Sequence, residues 1–138
     1  MDLAKFTTRS QQALGSAISV AAAAGNPSVE PAHILSALLS QDGGTAAPLL
    51  EAAGVESHAV FAGLKSALDT LPSARGANVQ NPTLSRASHE GLQRAQDLAG
   101  QLGDDFVSSE HLVVGIATVD SPAKTALTDA GASADALQ

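Results

Sequence analysis

Val29-Glu-Pro-Ala-His-Ile-Leu-Ser-Ala-Leu-Leu-Ser-Gln-Asp42 returns 78 positions later as Val107-Ser-Ser-Glu-His-Leu-Val-Val-Gly-Ile-Ala-Thr-Val-Asp120. Val29 corresponds to Val107, His33 to His111 and Asp42 to Asp120. Ile34, Leu35 and Leu38 correspond to Leu112, Val113 and Ile116. Each copy has an extended entry, an N-cap region and a short apolar helix with a histidine in its first turn. The same offset carries Leu14 to Leu92, Ala17 to Ala95, Ala21 to Ala99 and Gly25 to Gly103. After Asp42 and Asp120 it drops to 77, so that Leu50 matches Leu127 and Gly54 matches Gly131; one loop deletion accounts for the slip. A repeat that spans nearly the whole chain predicts an all-α fold of two tandem, pseudo-symmetric four-helix repeats, about eight helices in all. The expected division is a first repeat over about 1–71, a linker over about 72–82 and a second repeat over about 83–138.

Between these anchors the chain is punctuated by helix stops. Leu14, Ala17, Ile18 and Ala21 follow the i, i+3, i+4, i+7 rule and predict a helix over about 7–24, with Thr7 or Thr8 as N-cap. Gly25-Asn26-Pro27 ends it, because Gly accepts the left-handed C′ conformation and Pro cannot continue a helix. Pro31 suits a helix first turn and opens a second helix reaching about Gln41. Short helices follow over about 45–53 and 56–71, the latter with Val60, Phe61, Leu64, Leu68 and Leu71 inward. Pro72 to Pro82 is rich in Pro, Ser, Gly, Asn and Ala and marks the linker. The second copy then predicts a helix over about 83–102 with Leu92, Ala95, Leu98, Ala99 and Leu102 inward, helices from Ser108 onward and over about 122–130, and the first turn of an eighth over 134–138. Val107 and Leu112 can staple the entry to the sixth helix.

Composition excludes several function classes. The 138 residues contain no Cys, so thiolate chemistry is absent. The net charge of −7, with seven scattered Lys and Arg, opposes nucleic-acid binding. Met1 to Phe6 lacks a signal-peptide pattern and no apolar run approaches a membrane span, so a soluble cytoplasmic protein is expected. No phosphate-binding glycine loop occurs. His89-Glu90-Gly91-Leu92-Gln93 begins like a zinc-protease motif, but Gln93 stands where the second ligand belongs. No metal site is expected. A Ser-His-Asp grouping assembled by the fold is left open.

His33 and His111 admit two readings. They could be a symmetric pair of ligands or bases, or structural histidines that bond the backbone at a helix N-terminus; a repeated fold element accounts for a repeated residue without chemistry. Asp104, Asp105 and Glu110 gather at the start of the sixth helix. They can complement its macrodipole or form the polar rim of a binding surface.

Pro31-Ala-His-Ile-Leu35, Ser109-Glu-His-Leu112 and Gly103-Asp-Asp-Phe-Val-Ser-Ser-Glu110, set in this duplicated order, resemble the Clp N-terminal domain, the repeat module at the front of ring-forming AAA+ unfoldases. The resemblance covers about the entire chain. Within the family it is most similar to the N domains of ClpB-type disaggregases, through Phe6-Thr7 followed by Gln11-Gln-Ala-Leu14, Gln41-Asp-Gly-Gly44 followed by Pro48-Leu-Leu50, and Leu71-Pro72. ClpC-type relatives carry Thr-Glu-His in both repeats and use the two glutamates for phosphoarginine; here the first copy reads Pro31-Ala-His33 and only Glu110 remains. The resemblance implies a non-catalytic domain on a hexameric ATP-driven ring, making first contact with unfolded or aggregated polypeptide that the ring then threads. It implies ATP in the longer protein, no cofactor in this domain, and a monomeric isolated domain. An adaptor-docking or regulatory role in a protease-associated unfoldase is the alternative. The family pattern places the substrate surface at Thr7, Asp104 and Glu110, with apolar neighbours drawn from Leu3, Phe6, Leu14, Leu92 and Leu112.

Overall fold

Helix termination sets the architecture. In the computed structural model, which describes residues 3–72 and 82–137, α1 (Thr8–Ala23) and α5 (Arg86–Gln101) occupy matching places in the two repeats. Both end in the same way. Gly25 and Gly103 adopt φ of 73° and 75°, and the next residue turns back on the helix: Asn26 N–H donates to the Ala21 carbonyl at 2.9 Å and Asp104 N–H to that of Ala99 at 2.9 Å. A β-carbon is strained at that φ, which is why glycine recurs there.

Each chain turn then enters an extended link, and the links are exchanged between repeats. Ser28–Val29 (β1) pairs in parallel with Thr83–Leu84 (β2), the entry to α5. The entry to α1 pairs in turn with the second link, through a parallel bridge between Phe6 and Val107. Thr7 N–H donates to the Val107 carbonyl at 3.0 Å, and Ser85 N–H to that of Val29 at 3.1 Å. One turn further on, the Ser10 hydroxyl donates to the Val107 carbonyl (3.0 Å) and the Ser88 hydroxyl to the Val29 carbonyl (2.6 Å). Thr7 and Ser85 also N-cap α1 and α5. Residues 83–85, expected as the start of a helix, are therefore extended, because their backbone groups are committed to the first repeat.

The rest is the expected all-α pair of repeats. α2 (Pro31–Leu39), α3 (Ala46–Ala52) and α4 (Ser57–Asp69) complete the first; α6 (Ser109–Ala117), α7 (Pro122–Asp129) and α8 (Ala134–Leu137) follow α5 in the second. A short 3₁₀ turn, Leu3–Lys5, precedes α1. One core runs through both, with Ile34, Leu35, Leu38, Leu112, Ile116 and Leu127 at its centre. α4 packs on α7 across the pseudo-axis as well as on α2. Three stripe positions are corrected. Ile18, Phe61 and Leu102 are exposed rather than inward, since the buried face of α1 is instead Ser10, Ala13, Leu14, Ala17 and Ala21, and small residues let the helices close up. The linker expected over 72–82 falls outside the described residues except for its end prolines.

The tightest helix contact is α5 on α6. A β-carbon on Gly115 would collide with the Gly91 carbonyl and lie 2.9 Å from the Ala95 amide nitrogen, whereas one on Gly91 would meet Ile116 at an ordinary 3.6 Å. Gly115→Ala should therefore lower the unfolding free energy by about 3 kcal/mol through overpacking. Gly91→Ala should be neutral or raise it by up to about 1 kcal/mol, from helix propensity. Urea denaturation of the two variants separates these outcomes; equal effects would contradict the packing.

Candidate functional site

The two histidines sit at the third position of α2 and α6, where a Glu or Gln would usually reach back to the N-cap. Here the imidazole does it. Glu30 N–H donates to His33 Nδ1 at 2.9 Å, and Ser108 N–H donates to His111 Nδ1 at 2.9 Å. With Nδ1 an acceptor, Nε2 carries the proton. His33 Nε2 donates to Asn26 Oδ1 at 3.0 Å, and His111 Nε2 to Asp104 Oδ2 at 3.0 Å. Asn26 and Asp104 are the residues that the two helix stops turn back, so each histidine clasps the end of one helix to the start of the next. The geometry is that of a structural clasp in both repeats.

The second clasp brings Ser108, His111 and Asp104 together, the residue types of a hydrolytic triad, with Ser108 Oγ 3.1 Å from His111 Nδ1. The in-plane lone pair of Nδ1 already takes the Ser108 N–H, so it has no capacity left for a hydroxyl proton. Ser108 Oγ serves as the N-cap of α6, accepting the His111 N–H. The first repeat builds the same clasp with Glu30 and Asn26, which carry no nucleophile. Among the described residues no three His, Asp or Glu side chains converge as a metal site.

Next to the second clasp lies an open groove of about 510 Å³. Leu49, Leu98, Val114 and Leu137 form its floor, Leu102 and Phe106 its lips, and Asp104, Ser108, Glu110 and His111 its polar edge. Leu102 is 63% and Phe106 54% exposed, the two largest exposures among the described large hydrophobic side chains. The edge is acidic, and among the described residues no Lys or Arg lines the groove.

The structure thus brings Asp104 and Glu110 to one surface. Thr7 is held beside Val107 by its backbone bond, half-buried, with its hydroxyl donating to Ser10 Oγ at 2.9 Å; it does not line the groove. The apolar neighbours are placed differently from expectation. Phe6, Leu14, Leu92 and Leu112 are buried in the core and offer no surface, because Phe6 is drawn in by its bridge to Val107 and the leucines lie on the inner faces of α1, α5 and α6. The side chain of Leu3 lies outside the described atoms. The residues that sequence reasoning missed are Phe106 and Leu102. A signal existed: Phe106 stands where the first repeat has Ser28, an apolar side chain gained at a link position that the repeat does not need for its core.

Comparison with known proteins is consistent across the chain. The model of the Clp repeat (R) N-terminal domain family matches residues 5–130. The chaperone protein ClpB of Mycobacterium tuberculosis (strain H37Rv) is 51% identical over all 138 residues, which span 16% of that relative's length. Among solved structures, the N-terminal domain of Hsp104 from Candida albicans superposes with a TM-score of 0.79 at 21% identity, over 96% of this chain and 86% of that one. A ClpV N-domain in complex with a VipB peptide superposes with a TM-score of 0.75 at 26% identity, over 98% of this chain and 83% of that one.

The first clasp has a pH signature. Burial lowers the pKa of His33 below its usual 6.5, against a smaller opposing pull from Glu30. The unfolded chain then takes up a proton that the folded one refuses, so this contribution to stability is intact above 6.5 and is lost as pH falls below it. Urea midpoints measured from pH 7.5 to 5 should fall in the native chain and fall less in His33→Gln, which keeps an amide at the capping position. Equal slopes would show that other groups carry the dependence.

Proposed function

We propose that this chain, which belongs to the Clp repeat (R) N-terminal domain family, is a non-catalytic module that makes first contact with unfolded or aggregated polypeptide. The longer protein supplies the ATP-driven hexameric ring that threads what the module captures. The observation that carries this proposal is the groove beside α6, with its exposed Leu102 and Phe106 and its acidic edge at Asp104 and Glu110. Burying a large apolar side chain stabilises by roughly 1.5–3 kcal/mol, and leaving two on the surface side by side forgoes much of that. Apolar surface rimmed by polar groups is the mark of an interaction site.

The groove is suited to weak and general contact. It is shallow, and its apolar lining comes from several elements rather than from one rigid pocket, so segments of different sequence can share it. A weak site on a mobile module serves a ring that must release what it passes on. The chaperone names of the curated relatives and the peptide held by the ClpV N-domain favour this role over a purely structural one.

Titration of an unfolded casein into the isotope-labelled domain tests this. Amide shifts should concentrate at Leu102, Asp104, Phe106 and Glu110, with smaller ones at Thr7 through its bond to Val107. Phe106→Ser should weaken binding about tenfold, from the loss of a large apolar contact, with an unchanged melting temperature. Shifts confined to the α3–α4 side would overturn the site, and an adaptor protein that binds where casein does not would favour the regulatory role.

A further inference from the structure

Away from the acidic groove, the two repeats differ where the first helix of each meets the loop after the next. In the first repeat two side chains close that junction. Arg9 Nη1 donates to the Asp42 carbonyl at 2.8 Å, and Gln41 Nε2 donates to the Arg9 carbonyl at 2.9 Å. At the offset of 78, Arg9 corresponds to Ala87, Gln41 to Val119 and Asp42 to Asp120. Neither closing side chain has a counterpart: Ala87 ends at its β-carbon, and Val119 is apolar and buried. Here the junction between α5 and the loop after α6 holds an open pocket of about 570 Å³. The fourth helix of a repeat does not cover this face. Val20, the counterpart of Leu98, is 52% exposed although α4 runs thirteen residues, and Ser16 and Ser40, the counterparts of Arg94 and Thr118, are exposed as well.

The charges around the pocket decide what it can take. Arg86, Arg94 and Lys124, three of the seven Lys and Arg in a chain of net charge −7, line it together. Glu90 and Asp120 share the lining and are engaged locally: Glu90 lies 3.8 Å from Arg86, and Asp120 accepts from Lys124 Nζ at 3.0 Å. Arg94 has no hydrogen bond or ion pair among the described residues. Asp97, three residues on, accepts from Gln93 Nε2 at 3.1 Å instead. The lining thus carries one positive charge in excess, centred on Arg94. That balance suits a single carboxylate, whereas a phosphate dianion would be opposed by Glu90 and Asp120. Arg94 also lines a smaller opening along α5 and α6, of about 330 Å³, where Leu98 and Val114 add apolar surface. Apolar surface beside the cation suits the remainder of a peptide and gives nothing to a free ion.

We infer that this pocket is a second binding site, which takes an Asp or Glu side chain of a partner polypeptide on the Arg94 guanidinium, with an apolar residue of the same segment beside Leu98. A guanidinium presents two parallel N–H groups to a carboxylate and bonds it with directional specificity. One helical turn separates Arg94 from Leu98, about 6 Å, which an extended segment spans in about two residues, so the acidic and apolar side chains share one face of it. The site is independent of the acidic groove and selects the opposite charge.

Three capped octapeptides test this, each of Ala and Ser around a central Leu-Ser-Glu, Leu-Ser-Gln or Leu-Ser-Lys. Amide shifts of the isotope-labelled domain should show the Glu peptide binding about fivefold more tightly than the Gln peptide, equivalent to about 1 kcal/mol. The largest changes should fall at Arg94, Leu98 and Thr118, and the Lys peptide should bind most weakly. Arg94→Ser, which sets there the residue of the first repeat, should bring the Glu and Gln peptides within about twofold at an unchanged melting temperature. Ala87→Met, which fills the pocket without charge, should do the same, and Phe106→Ser should leave the preference intact. Equal binding of the Glu and Gln peptides to the native domain, persistence of the preference in either α5 variant, or tighter binding of the Lys peptide would overturn the inference. Loss of the preference in Phe106→Ser would place the peptide in the acidic groove and would also overturn it.

Discussion

Two backbone carbonyls, those of Val29 and Val107, carry the connection between the repeats. Each accepts an N–H from the entry segment of the other repeat and a serine hydroxyl from one turn further on. A buried carbonyl without partners would cost a few kcal/mol, and neither repeat can satisfy its own link from within. Ser85 and Ser88 of the second half complete the first, and Thr7 and Ser10 of the first half complete the second. The four-helix units are consequently not modules in series. They are interlocked, and the core that spans them follows from this, since α1 and α5 cannot dock on their own links without bringing the opposite repeat into contact.

The histidine clasps depend on that frame. Once the link is held, the residue two beyond the helix cap, Asn26 or Asp104, is placed by backbone geometry alone, and the third residue of the next helix lies within reach of it. The clasp tolerates an amide or a carboxylate because the imidazole Nε2–H needs only an acceptor. That tolerance separates structure from function. The acceptor oxygen is the structural part and is kept in both repeats. The other half of the side chain is free to differ, and it does: a donor that holds the Pro72 carbonyl in the first repeat, a second carboxylate oxygen at the groove edge in the second.

Much of the fold was legible in the sequence because it is written twice. The glycines after α1 and α5, the histidine at the third helical position and the apolar triplets recur at one offset, and each has a local physical cause. The exchanged strands were not legible as pairing. Ser28–Val29 and Thr83–Leu84 are two residues each, too short for period-two alternation to show, and which segment satisfies which carbonyl is a long-range matter. The candidate site was legible in its charges and illegible in its apolar part. Asp104 and Glu110 stand out as departures between the copies, but Phe6, Leu14, Leu92 and Leu112 obey the same apolar periodicity that the core requires. Periodicity identifies a helix face and cannot distinguish a face turned to the core from one turned to a groove. Leu102 was misplaced for the same reason: it continues the stripe of α5 beyond the last residue that α6 covers.

The comparison of Phe106 with Ser28 shows how such a surface arises at little cost to the fold. Position 28 lies in a paired strand, where Ser28 is in register with Thr83. Position 106 precedes the bridge at Val107 and is not covered by the partner strand, so a large side chain there meets no steric objection. Adding an aromatic group at that point gains no core packing, and it raises the apolar surface next to two acidic groups that the helix N-terminus already favours. Charge and apolar surface are therefore supplied by different causes: the dipole of α6 stabilises the acidic residues, and the uncovered link accommodates the phenylalanine. Their meeting in one groove follows from the position of the second clasp, which both the link and the helix start must approach.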